Sequence, residues 1–173
     1  MKTRIILLCL GLCLVFCAAA QGSRFAAGDK IFGLTGSGSS NNDFDNTVFG
    51  TELSIGYFFK DNFAGEIRQG INLIDVPGND DDWFASTRGA LDWYFGSNSV
   101  YPFLGLNLGY IYGDAVNDTF VAGPEGGLKC FVNDTTYIFG MIEYQFFFDN
   151  GDELDDAFDD GRFVYTLGIG FKF

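Results

Sequence analysis

The stretch FVYTLGIGFKF, residues 163–173, decides the fold. Its alternate positions Phe163, Tyr165, Leu167, Ile169, Phe171 and Phe173 are all large and apolar. Arg162, Val164, Thr166, Gly168, Gly170 and Lys172 form the other set, which is small or polar. A period of two marks a strand with one apolar face. At roughly 3.4 Å per residue and a tilt of about 40°, such a strand climbs about 26 Å, close to the apolar band of a membrane-spanning sheet.

The same alternation recurs upstream in seven further segments, predicted at residues 30–37, 47–59, 63–73, 83–95, 101–112, 119–132 and 135–148. In the second, Phe49, Leu53, Ile55, Tyr57 and Phe59 oppose Glu52, Ser54 and Gly56. In the fifth, Leu104, Leu106, Leu108, Tyr110 and Tyr112 oppose Gly105, Asn107 and Gly109. The sixth sets Phe120, Ala122, Leu128 and Val132 against Glu125, Gly127 and Lys129, with Pro124 inside it. Proline donates no ladder bond and a closed sheet has no free edge, so a bulge is expected there.

The connections alternate in length. Turns at residues 60–62, 96–99 and 133–134 are short, whereas those at 39–46, 75–82, 113–118 and 149–160 are longer. Short turns at one end and long loops at the other suit an up-and-down barrel. The long connections hold Asp43, Asp45, Asp75, Asp80, Asp81, Asp82, Asp114, Asp118 and the acidic run from Asp149 to Asp160, with no Lys or Arg.

Parity alone does not say which face looks inward. Here the polar face is glycine with one or two charges per strand, too sparse and too small for a wall against water. It suits the cramped interior of eight strands. The 18% aromatic content also bunches at strand ends, as interface girdles do. The prediction is an all-β fold, an eight-stranded antiparallel up-and-down transmembrane β-barrel over residues 30–173. Residues 1–20 read as a cleaved signal peptide, with Lys2 and Arg4, an apolar core and Ala18, Ala19 and Ala20 at the cleavage site. Residues 21–29 read as a short periplasmic lead.

Composition excludes several functions. A net charge of −13 argues against nucleic acid. The chain has no histidine, which closes the Ser–His–acid route and makes zinc or iron sites improbable, so no enzyme is expected. Cys130 is the one cysteine beyond the signal peptide and reads as an apolar filler.

Two sets of residues carry candidate chemistry. Glu52, Glu66, Arg68, Arg88, Asp92, Glu125, Lys129 and Glu143 face inward with signs interleaved, and Lys172 stands at their margin. Burial would force these charges to pair, giving an ion-pair network that fills the lumen, or else lining a narrow pore. Asp152, Glu153, Asp155, Asp156, Asp159 and Asp160 gather oxygen ligands that suit weak Ca²⁺ or Mg²⁺ binding, or simply a solvated loop. No other cofactor is expected.

The signal peptide, the alternating strands, the acidic loops and the terminal segment 165–173 together resemble the small eight-stranded outer-membrane proteins of the OmpA and OmpX type. The resemblance covers residues 30–173 as a pattern. It implies the bacterial outer membrane, with its lipid and lipopolysaccharide as surroundings. It also implies that the barrel-assembly machinery reads Tyr165, Leu167, Ile169, Phe171 and Phe173. No periplasmic domain is expected after Phe173. The role so implied is a structural barrel serving envelope integrity or surface contact. A divalent-cation-dependent adhesin and a narrow passive channel are the alternatives.

Overall fold

The computed structural model describes residues 25–40, 47–75, 82–96, 99–114, 118–148 and 162–173. Eight strands follow one another: β1 (Lys30–Ser40), β2 (Thr47–Lys60), β3 (Phe63–Asp75), β4 (Asp82–Tyr94), β5 (Val100–Tyr112), β6 (Thr119–Phe131), β7 (Thr136–Phe148) and β8 (Arg162–Lys172). Each pairs antiparallel with its neighbours in chain order, and β1 pairs with β8 to close the barrel. Alternation sends one residue set to each side of this wall.

The outward set is apolar and bare. Leu167 is 71% exposed, Ile67 68% and Leu106 67%. Continuous aliphatic exposure on this scale would be costly in water at about 25 cal/mol per Å² and is matched instead to lipid. Aromatic rings gather at both rims, with Tyr57 against Phe59 and Trp93 against Phe95 at the turn end, and Tyr110 against Phe120 at the loop end. Gln69 and Thr87 interrupt the apolar wall. Thr87 donates to Gln69 Oε1 at 2.7 Å, and Gln69 Nε2 donates to the Tyr112 hydroxyl at 3.2 Å, so these polar groups satisfy one another.

Four local features differ from the sequence expectation. The bulge expected at Pro124 is not formed. Ala122 pairs with Phe146 and Glu125 with Glu143 in a single register, and Pro124 itself pairs with Leu106 of β5. The ladder between β6 and β7 skips Gly123 and Pro124 instead of shifting past them. The register shift occurs in β2 between Phe58 and Lys60. Asp75 and Asp82 belong to strands, paired with Thr47 and Ile74, and not to the loop. The turn after β6 spans four residues because the Asn133 side chain accepts from the backbone N–H of Thr135 and Thr136, at 3.0 and 2.8 Å.

The larger correction concerns the interior. Its turn-end half is not glycine and charge but a floor of aromatic rings: Phe58, Tyr94, Tyr101, Phe103, Phe131 and Tyr137, all buried. Phe25, from the lead, seats itself among them at 3% exposure. Its ring lies 4.4 Å from that of Phe58 and 4.9 Å from those of Tyr101 and Phe131. Gly28, at φ 95°, turns the chain from this seat into β1. The lead is tied down by Gly28 N–H to Phe58 O at 2.9 Å and Ala27 N–H to Asp61 Oδ1 at 2.9 Å.

Phe25 is therefore part of the core. Phe25→Ala is expected to cost about 3 kcal/mol, as for a buried aromatic elsewhere. Urea unfolding of the barrel in lipid vesicles, followed by the fluorescence of Trp83 and Trp93, measures this; a loss below about 1 kcal/mol would show the floor closed without it.

Candidate functional site

Above the aromatic floor the lumen holds charge. Two like-signed pairs form its frame. Arg68 on β3 stands directly opposite Arg88 on β4, and Glu125 on β6 directly opposite Glu143 on β7. Like charges facing each other across a ladder are destabilising on their own. Here the arginine pair on one wall meets the glutamate pair on the other. Arg68 grips Glu125 with two parallel bonds, Nη1 to Oε2 at 2.8 Å and Nη2 to Oε1 at 2.7 Å. Arg88 bridges Glu143 and Glu52 of β2. The bidentate fork is the strongest form of such a contact.

The remaining members fill in around this frame. Arg68 Nε lies 3.5 Å from Glu66 Oε2, and its Nη2 lies 3.6 Å from Asp92 Oδ2. Lys129 Nζ donates to Glu66 Oε1 at 2.5 Å. The ammonium also lies over the rings of Tyr94, at 5.0 Å, and Tyr137, at 5.4 Å, so it joins the charged layer to the aromatic floor. Tyr94, Asn107 and Gln145 complete the set. The Tyr94 hydroxyl stands 3.2 Å from Glu66 Oε1 and 3.3 Å from Asp92 Oδ2. Asn107 Nδ2 donates to Glu125 Oε2 at 2.7 Å, and Gln145 donates to Glu143. Glu66, Asp92, Glu125, Lys129 and Glu143 are all buried.

All eight lumen residues singled out in the sequence thus meet in one layer, as two bonded groups centred on Arg68 and on Arg88 that the strand register sets side by side. Lys172 lies apart, at the turn-end rim, 3.7 Å from Asp29 and over the Phe131 ring. The inward position of Tyr94 had no signal, because Trp93 and Phe95 on either side hide it in a run of aromatics. Five carboxyl groups face three cations, and Asp92 Oδ1 and Glu143 Oε2 are buried without a hydrogen-bond donor. The chemistry of the layer is cross-linking of opposite walls. The loop residues Asp152, Glu153, Asp155, Asp156, Asp159 and Asp160 lie outside the described residues. Tyr165, Leu167, Ile169, Phe171 and Phe173 line the outer face of β8, all exposed.

A buried pair tolerates joint replacement by apolar groups far better than loss of one partner. Arg68→Met alone is expected to cost about 3 kcal/mol or more, by stranding Glu125. The double variant Arg68→Met, Glu125→Met should be more stable than either single variant. A double-mutant cycle in vesicle-reconstituted barrels reads this directly, and simple additivity would mean that the grip carries no coupling.

Comparison with known proteins places this geometry. No protein-family model and no curated protein matches the chain. Solved structures do. The N-terminal β-barrel domain of Pseudomonas aeruginosa OprF superposes with a TM-score of 0.55 at 17% identity, over 86% of this chain and 98% of that one. The outer membrane protein OprG from the same organism gives 0.54 at 19% identity, over 89% and 99%. The Yersinia pestis outer membrane protein Ail, in a phospholipid bilayer nanodisc, gives 0.53 at 16% identity, over 84% and 99%. The chain has the fold of the small eight-stranded transmembrane barrels.

Proposed function

We propose that this protein is a structural barrel of the bacterial outer membrane, closed to solutes, which serves envelope integrity or surface contact through its loops. The carrying observation is the filled lumen. An aromatic floor and an ion-paired layer cross-link opposite walls from Arg68 to Glu125 and from Arg88 to Glu143. Eight strands leave room for side chains and little else. The bare aliphatic wall supports insertion in lipid, and the fold likeness to known outer-membrane barrels supports the location. On this reading the short turns lie in the periplasm and the acidic loops outside, and the outer face of β8 is what the assembly machinery reads. No enzymatic step is assigned, because the lumen carboxylates are held in ion pairs rather than beside a substrate cleft.

The protein refolded into vesicles should migrate differently on a gel before and after boiling. Added to a planar bilayer, it should stay silent. A steady conductance would overturn the closed lumen and favour a channel.

A second reading, surface binding that depends on a divalent cation, rests on where the acids fall. Asp114 and Asp118 are exposed at the loop end, where β7 also ends and β8 begins, and the sequence between those two strands is acidic. Calorimetry with millimolar Ca²⁺ or Mg²⁺ tests it. Binding heat and a raised melting temperature are expected; neither would remain if the loops are only solvated.

A further inference from the structure

The outer wall is not uniformly convex. Across β2 to β5 it holds a trough of about 770 Å³, lined by Ile55, Tyr57, Phe59, Ile67, Leu91 and Leu108, among others. Pairing explains its shape. One row across the ladder runs Lys30, Tyr57, Gly65, Leu91, Leu106. The next runs Ile55, Ile67, Gly89, Leu108. Gly65 lies in the first row and Gly89 in the second; the Phe59 ring leans over Gly65, 3.0 Å from where a Cβ would stand, whereas Gly89 leaves its place in the wall open. At Gly89 an added Cβ would meet nothing nearer than Leu108 O at 4.0 Å.

Strands tilt, so a row climbs as it crosses them. This one starts at the turn-end rim with Lys30 and rises toward the middle of the apolar band. Four inter-strand steps span about 19 Å, a length suited to a single extended acyl chain. Lys30 also lines the trough and is exposed, and it has no carboxylate partner among the described residues. On a chain with net charge −13, an exposed cation opposite Tyr57 in the ladder, at the head of an apolar furrow, is complementary to an anion carrying an alkyl tail.

We propose that this trough binds one anionic phospholipid of the leaflet at the turn end. Its phosphate sits on Lys30, with Tyr57 opposite in the ladder, and one acyl chain lies along the trough over Gly89. The site rests on the reading of the chain as a membrane barrel.

Barrel refolded in detergent micelles doped with equal phosphatidylcholine and phosphatidylglycerol, then released for native mass spectrometry, should retain one phosphatidylglycerol in preference to phosphatidylcholine. Lys30→Ala should lower that preference about fivefold, the worth of one interfacial cation. Gly89→Leu fills the furrow and should abolish retention. Gly36→Leu, at another outward position where an added Cβ meets nothing within 4 Å, should leave it unchanged. Equal retention of both lipids, retention undiminished in Gly89→Leu, or a lipid-free dimer whose contact is lost in that variant would each overturn the site while the barrel stands. A wild-type chain that shows no heat-dependent gel shift would overturn the membrane reading and this site with it.

Discussion

A strand in oil has no water to bond, so every N–H and C=O on it must find another strand. That constraint orders the whole molecule. It is met by closure, and closure depends on β1 finding β8. The seam is the shortest in the barrel, running only from Ile31 opposite Lys172 to Gly36 opposite Leu167. Neighbouring seams run much further, as between Thr47 and Lys60 of β2 and their partners on β3. The turn end of the seam is reinforced by Lys30 N–H to Phe173 O and Phe173 N–H to Lys30 O, at 2.9 and 3.0 Å. The first and last strands are thus locked where both begin and end, beside the seat of Phe25.

Closure creates a second constraint, on the inside. A narrow tube cannot leave polar groups to bulk water, so lumen groups must pair with one another, and they do so but for a few atoms such as Asp92 Oδ1 and Glu143 Oε2. The barrel solves this in two layers with different physics. At the turn end, rings stack on rings and exclude water. Above them, guanidinium forks meet carboxylates across the axis. Lys129 belongs to both, with its charge on Glu66 and its flank against the rings. Space is made by glycine where the opposing groups need it. Phe103 lies 2.8 Å from where a Cβ on Gly127 would stand, and the Tyr137 ring covers Gly170. The sparse, small inward face is the room that these large side chains use.

The outer wall was legible in the sequence because a lipid-facing sheet imposes a period of two, which breaks here locally, as at Gln69 and Thr87. Leu104, Leu106 and Leu108 or Tyr165, Leu167 and Ile169 mark strands with one apolar face, and the sparse, small opposite face then turns them outward. The lumen charges were legible for the converse reason, since a charge in such a strand has only the interior to face. Their partners were not, because pairing across a lumen depends on the register of strands far apart in sequence. The aromatic floor was hidden where both faces carry rings, as in Tyr57, Phe58 and Phe59 or Trp93, Tyr94 and Phe95, so that alternation vanishes. Phe25 gave no signal, since a lead has no period. At Pro124 the expectation rested on the lost donor alone. The sheet keeps its register and leaves a gap in one ladder, which a strand held in register on both flanks can sustain.

The proposed closed lumen sets what such a protein would do. Groups that would act on a substrate are spent on one another: Glu125 and Glu143 are held by arginines, and Glu66 by a lysine. What remains available is the outer wall and the two ends. The ends differ in charge. Among the described residues the turn end balances Asp29, Asp61 and Asp134 with Lys30, Lys60 and Lys172, whereas the long connections are acidic throughout. A nearly neutral end sits readily against a phosphate-bearing lipid surface, and an acidic end stands away from one or reaches it through bound cations. On the proposed reading, specificity in this barrel belongs to its rims and its lipid-facing contours, where a single lysine or a missing side chain changes what fits.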